Sequence, residues 1–102
     1  MEYRKVMLVD DDRLSVEYME HLVDWKAYGY EITGKAYNGK QALNMFQRQP
    51  PHLLITDIRM PLMDGLQLIS EVKKLRPETR IVLLTAYSEF EYARAAVSVG
   101  VD

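Results

Sequence analysis

The chain has 102 residues, 48% apolar and 27% charged, which points to one globular domain with a modest core rather than a disordered chain. Its formal charge of −2 offers no broad basic field to nucleic acid, and the absence of cysteine excludes a disulfide framework or a thiolate metal site. No apolar stretch approaches the ~18 residues that span a bilayer, and the opening MEYRKVMLV is too short in apolar run for a signal peptide, so a cytoplasmic domain without membrane contact is expected.

In chain order, Val6-Met7-Leu8-Val9 is a continuous apolar run, as a parallel strand covered on both faces requires. Apolar residues then recur at Leu14, Tyr18, Met19, Leu22 and Val23, which is helical spacing. Tyr28-Gly29-Tyr30 turns the chain, and Glu31 to Tyr37 forms a weaker strand anchored by Ile32. Three later helices open on the same signature: Asn38 before Gln41, Asp64 before Gln67, and Ser88 before Glu91. In each pair a capping side chain stands three residues ahead of Gln or Glu, the spacing that satisfies free backbone donors in a first turn. Helices are therefore predicted over about Gly39 to Gln49, Gly65 to Arg76 and Glu89 to Val99, the first two stopped by Pro50-Pro51 and Pro77. Strands Leu53–Thr56 and Ile81–Thr85 lie between them. Four alternating βα units with short connections predict an α/β fold, a parallel sheet with helices on both faces.

Ligands of such sheets bind at the carboxyl ends of the strands. The first strand ends in Asp10-Asp11-Asp12, the third in Asp57 and the fourth in Thr85-Ala86. If the first and third strands are neighbours, Asp10, Asp11 and Asp57 meet. Carboxylates so crowded repel, and at least one should titrate high unless a cation sits among them. An all-oxygen set with room for water suits Mg²⁺ better than a Ca²⁺ cage. A carboxylate beside Mg²⁺ is also a nucleophile toward a phosphoryl group. Singly, an Asp after a strand is most often a helix cap or a solvated turn residue. Three of them on two strand ends, with Thr85 on another, favour a site.

The segments VMLVDDDR, NGKQAL, HLLITDIRMPLMDG, RIVLLTAY and EYARAAVSVGVD, in this order, resemble the receiver domain of two-component response regulators over nearly the whole chain. The resemblance implies a flavodoxin-like, doubly wound sheet of order 2-1-3-4, with residues 1–102 as one receiver domain. It implies that Asp57 accepts a phosphoryl group from a phosphohistidine of a sensor histidine kinase. Asp11 would hold Mg²⁺ directly and Asp10 through water, with Asp57 and the backbone carbonyl of Arg59 completing the protein ligands. Thr85 would turn its hydroxyl to the phosphoryl group, Ala86 would leave it space, and Pro61 and Gly65 would shape the loop behind Asp57. YGYEITGKAYNGKQAL and TAYSEFEYARAAVSVGVD further resemble receivers joined to AraC-type helix-turn-helix regulators, so DNA would be contacted only through a C-terminal domain absent from this chain.

Family members continue into a fifth strand and helix and carry a lysine at that strand's end. No lysine here sits at a matching position, so the chain resembles a truncated receiver whose fourth strand would be an edge prone to self-association, and whose phosphorylation would be slow. Two rival readings differ in class. A haloacid-dehalogenase-like phosphatase shares Asp10-x-Asp12 after a strand, but it expects Thr or Val where Leu14 stands. A receiver-like interaction module would carry no phosphate. On the first reading the domain is no turnover enzyme. His21 and His52 lack metal-ligand spacing, and Trp25 is expected to pack at a helix end.

Overall fold

A computed structural model describes residues 2–84. Its elements run β1 (Arg4–Val9), α1 (Arg13–Leu22), a single 3₁₀ turn η1 (Trp25–Tyr28), β2 (Tyr30–Ala36), α2 (Gly39–Arg48), β3 (Leu53–Asp57), α3 (Gly65–Leu75) and β4 (Arg80–Leu84). The strands form one sheet in the order β2-β1-β3-β4, and every adjacent pair is parallel. The expected boundaries hold to within two residues, and β3 runs on to include Asp57. The helix expected over Glu89 to Val99, the Ser88–Glu91 cap and the aromatics Tyr87, Phe90 and Tyr92 lie outside the described residues.

The helix starts follow local chemistry. Asp64 accepts the Gln67 N–H at 2.8 Å while the Gln67 side chain accepts the Asp64 N–H at 3.0 Å, a complete capping box. At α2 only half of the expected box forms. Asn38 accepts the Gln41 N–H at 2.7 Å, but the Gln41 amide oxygen reaches one residue further back and takes the Tyr37 N–H at 2.8 Å. Gly29, at φ 87°, closes the 3₁₀ turn in the left-handed region that glycine enters without a Cβ penalty.

Strand alternation divides the core into two layers. Met7, Val9, Leu54 and Ile81 point to one face and pack with Phe46 of α2 and Leu68, Ile69 and Val72 of α3. Val6, Leu8 and Ile55 point to the other, against Val16 of α1 with Met19 and Trp25 beside them. Trp25 packs at the end of α1 as expected, its indole N–H donating to the Met19 carbonyl at 3.2 Å. The α1 stripe does not. Leu14, Tyr18 and Leu22 are 74%, 65% and 62% exposed, because Val16 and Met19 are the side chains that meet the sheet. On the same side Val82 and Leu84 of β4 remain uncovered while Ile81 is buried. Among the described residues, β2 and β4 are the sheet edges.

Candidate functional site

The pairing of β1 with β3 sets Val9 opposite Thr56. One residue further along both strands, Asp10 and Asp57 stand abreast at the carboxyl edge of the sheet. The Asp10 N–H donates to the Ala36 carbonyl at 3.2 Å, so the chain still follows the β1–β2 ladder when the carboxylate is presented. Asp11 starts the turn into α1. Carboxylate oxygens of Asp10, Asp11 and Asp57 lie within 4.8 Å of one another, with Asp11 exposed and the other two half-buried. The predicted convergence of these three residues is therefore met.

Two of the three carboxylates accept hydrogen bonds from local backbone. Asp10 Oδ1 accepts the Asp12 N–H at 2.9 Å, and Asp57 Oδ1 accepts the Ile58 N–H at 2.8 Å. Asp12 turns away from the cluster to cap α1, accepting the Leu14 N–H at 3.0 Å and the Ser15 hydroxyl at 3.1 Å. The division of labour within Asp10-Asp11-Asp12 is thus two carboxylates at the site and one at a helix cap.

Crowding has the expected electrostatic result. Asp10 is pushed up from 3.8 to about 6, first by burial and then by the facing charge of Asp57 and the neighbouring Asp11, against the opposing hydrogen bond from the Asp12 N–H. A divalent cation would reverse these repulsions, and an all-oxygen donor set of this span fits a hard ion.

Behind Asp57 the loop to α3 turns back tightly. The Gly65 N–H donates to the Ile58 carbonyl at 2.7 Å, and a Cβ on Gly65 would collide with the Asp57 carbonyl oxygen. This is the physical reason for glycine at the position read from sequence as shaping the loop. Leu62, the one described non-glycine residue at positive φ (72°), lies in the same loop. Arg59 is exposed, and with Asp11, Met60, Pro61 and Asp64 it lines a hollow of about 390 Å³ beside the carboxylates. Asp64 was read only as a cap, and nothing in local spacing signalled that it also lines this hollow. Thr85, Ala86 and Tyr87 lie outside the described residues. Elsewhere on the α1 side, the Arg13 guanidinium sits 4.0 Å from the Tyr37 ring centroid, and Lys35 pairs with Glu20 at 2.7 Å.

A doubly wound parallel sheet of order 2-1-3-4 bearing an acidic cluster at its carboxyl edge is the flavodoxin-like receiver architecture. The family model of the response regulator receiver domain matches residues 6–102, and the chain belongs to that family. It is 39% identical over 97 residues to the transcriptional regulatory protein YesN of Bacillus subtilis, covering 95% of this chain and 26% of that protein. Its structure is similar to the receiver domain of AraT, a response regulator from Geobacillus stearothermophilus, with TM-score 0.92 and 32% identity over 97% of this chain and 77% of that one. It is also similar to a two-component transcriptional regulator AraC from Clostridium phytofermentans, with TM-score 0.85 and 33% identity over 91% and 72% of the two chains. The chain thus spans about a quarter of the length of YesN. The AraC-type relationship read from sequence is met by these relatives. No described helix is long and apolar enough to cross a membrane.

Proposed function

We propose that residues 1–102 form one phosphoacceptor domain, in which Asp57 takes a phosphoryl group from a histidine kinase in the cytoplasm. The convergence of Asp10, Asp11 and Asp57 within 4.8 Å carries this reading. An Asp57 carboxylate oxygen attacks phosphorus, and the P–N bond to the kinase imidazole breaks with its electron pair returning to the ring nitrogen. The Ile58 N–H on Oδ1 fixes the carboxylate plane for that approach. Asp11, Asp57 and the Arg59 carbonyl would hold Mg²⁺, with Asp10 reaching it through water. Bound there, the ion supplies charge neutralisation for the phosphoryl oxygens. Thr85 contributes the hydroxyl that the phosphoryl group draws in. The domain modifies its own side chain and turns over no free substrate. Its output is transcriptional control through a DNA-binding domain elsewhere in the regulator. Val82 at 40% and Leu84 at 37% exposure on the β4 edge support self-association as a second contact of this domain.

Acetyl phosphate with Mg²⁺, followed over hours by intact-mass measurement, tests the assignment. One phosphoryl group is expected on the chain, slowly, and none on Asp57→Asn or with Mg²⁺ chelated. Incorporation that survives Asp57→Asn would assign the acceptor elsewhere. Steady release of phosphate from a generic ester would favour the phosphatase reading instead.

A further inference from the structure

At the opposite end of the sheet, where the strands begin, lies a second polar hollow. It has a volume of about 160 Å³ and is framed by Arg4 of β1, Arg80 of β4, His52 and Pro51 ahead of β3, and the Arg76-to-Thr79 turn after α3. Organic ligands usually occupy about 300 Å³ or more, so this space suits a small ion. Its charge is positive: three arginines face the single carboxylate of Glu78. Arg76 is already engaged, with its guanidinium 3.7 Å from Glu78 and its place at the C-terminal end of α3 matched to the helix dipole. Arg4 and Arg80 have no carboxylate partner among the described residues.

His52 gives the hollow a fixed donor. Its Nδ1 accepts the Lys5 N–H at 2.8 Å, its own N–H donates to the Lys5 carbonyl at 2.9 Å, and its carbonyl accepts the Arg80 N–H at 3.0 Å. Nδ1, as the acceptor of this bond, is therefore the unprotonated nitrogen, and the ring proton is assigned to Nε2. The backbone bonds that lock His52 also join β1, β3 and β4, so Arg4 and Arg80 start from strands tied to it on either side. Arg4, Arg80 and His52 all line the hollow with exposed side chains, and two guanidinium groups with an imidazole N–H form a donor-only set of the kind an oxyanion requires.

We propose that this hollow is an anion site, separate from the carboxylate cluster, which takes a phosphate-sized oxyanion on Arg4, Arg80 and His52 Nε2. Asp57 lies five positions along the chain from His52, roughly 16 Å at the usual strand rise. A phosphate here and a phosphoryl group on Asp57 would therefore be distinct events. The same chemistry is offered by free phosphate and by a phosphoryl group on a larger molecule.

Inorganic phosphate, titrated into the metal-free protein at constant ionic strength, tests the site through the His52 Hε1 NMR resonance. A saturable shift is expected, absent when chloride replaces phosphate. The paired variant Arg4→Ala/Arg80→Ala, checked for an unchanged melting temperature, should lose at least tenfold in affinity. Arg4→Lys/Arg80→Lys, which keeps charge but not the fork, serves if the alanine pair folds poorly, and should also bind more weakly. Phenyl phosphate distinguishes the sources: affinity equal to that of phosphate assigns a substituent phosphoryl group, and loss of binding assigns free phosphate. A linear, non-saturating shift, or the same affinity in both variant pairs, would overturn the site.

Discussion

At the residue scale, Asp10 ties the site to pH. Its carboxyl titrates near 6 in the fold against an ordinary 3.8, so the folded state binds this proton more tightly than the unfolded chain does. The contribution is favourable below pH 4 and is lost as pH rises through about 6. Without metal, the protein should therefore be less stable at pH 7 than this group alone would allow at pH 4. Solvent around a half-buried carboxyl damps the effect, leaving about 1 kcal/mol. Asp10→Asn keeps an acceptor for the Asp12 N–H and should raise metal-free stability at pH 7 by that amount, read by urea unfolding. If the cluster holds Mg²⁺ as proposed, the ion should stabilise the wild type, and the same variant should lose most of that gain. For the wild type, apparent Mg²⁺ affinity should fall as pH drops from 7 to 5, because the ion must displace a proton. A Mg²⁺ affinity unchanged across that range would contradict the cluster as a metal site.

At the scale of elements, the start of α3 is the most constrained junction. Asp64→Ala removes one half of its capping box and should cost about 1 kcal/mol. Gly65→Ala should cost more, about 1–3 kcal/mol, since the added methyl meets backbone that cannot rotate away. Thermal melts of the two variants would rank them, and a Gly65→Ala protein as stable as wild type would mean the junction yields more easily than its contacts indicate. Much at this scale was legible in sequence because its causes are local. The Asn38 and Asp64 caps, the Gly29 turn and the proline stops at Pro50 and Pro77 each act within a few residues. The 3₁₀ turn over Trp25–Tyr28 was not anticipated, since four residues are too few to show a period. The apolar spacing of α1 showed a helix but not which of its sides meets the sheet. Val16, a single valine between Ser15 and Glu17, carries most of that burial with Met19 beside it, and only the packing of α1 on the sheet reveals it. The carboxylate cluster was legible because parallel pairing aligns strand ends once the strand order is known. The Arg4–Arg80–His52 hollow was not, because its members lie far apart in sequence and follow no periodic pattern.

At the scale of the whole molecule, the described sheet lies between two packed layers. Among the described residues, the α2–α3 side holds most of the buried large side chains, Phe46 at 1% exposure among them. Phe46→Ala should cost about 3–5 kcal/mol, a large share of the 5–15 kcal/mol available to a typical domain. A loss of unfolding free energy in urea of less than a third of that would place the main stabilising layer elsewhere. Charge is also distributed unevenly along the strand direction, with Asp10, Asp11 and Asp57 at one end and Arg4 and Arg80 at the other. The approach of Gly65 to the Asp57 carbonyl bears on how such a body could transmit a local event. Thr56 donates its hydroxyl to that same carbonyl at 2.9 Å, and Ile58 is bonded to Gly65. The peptide of Asp57 is thus held between its own strand and the first turn of the next helix. A tug on that peptide of even a fraction of an ångström would be handed to the first turn of α3 rather than absorbed, which makes that helix the shortest mechanical lever out of the acidic pole.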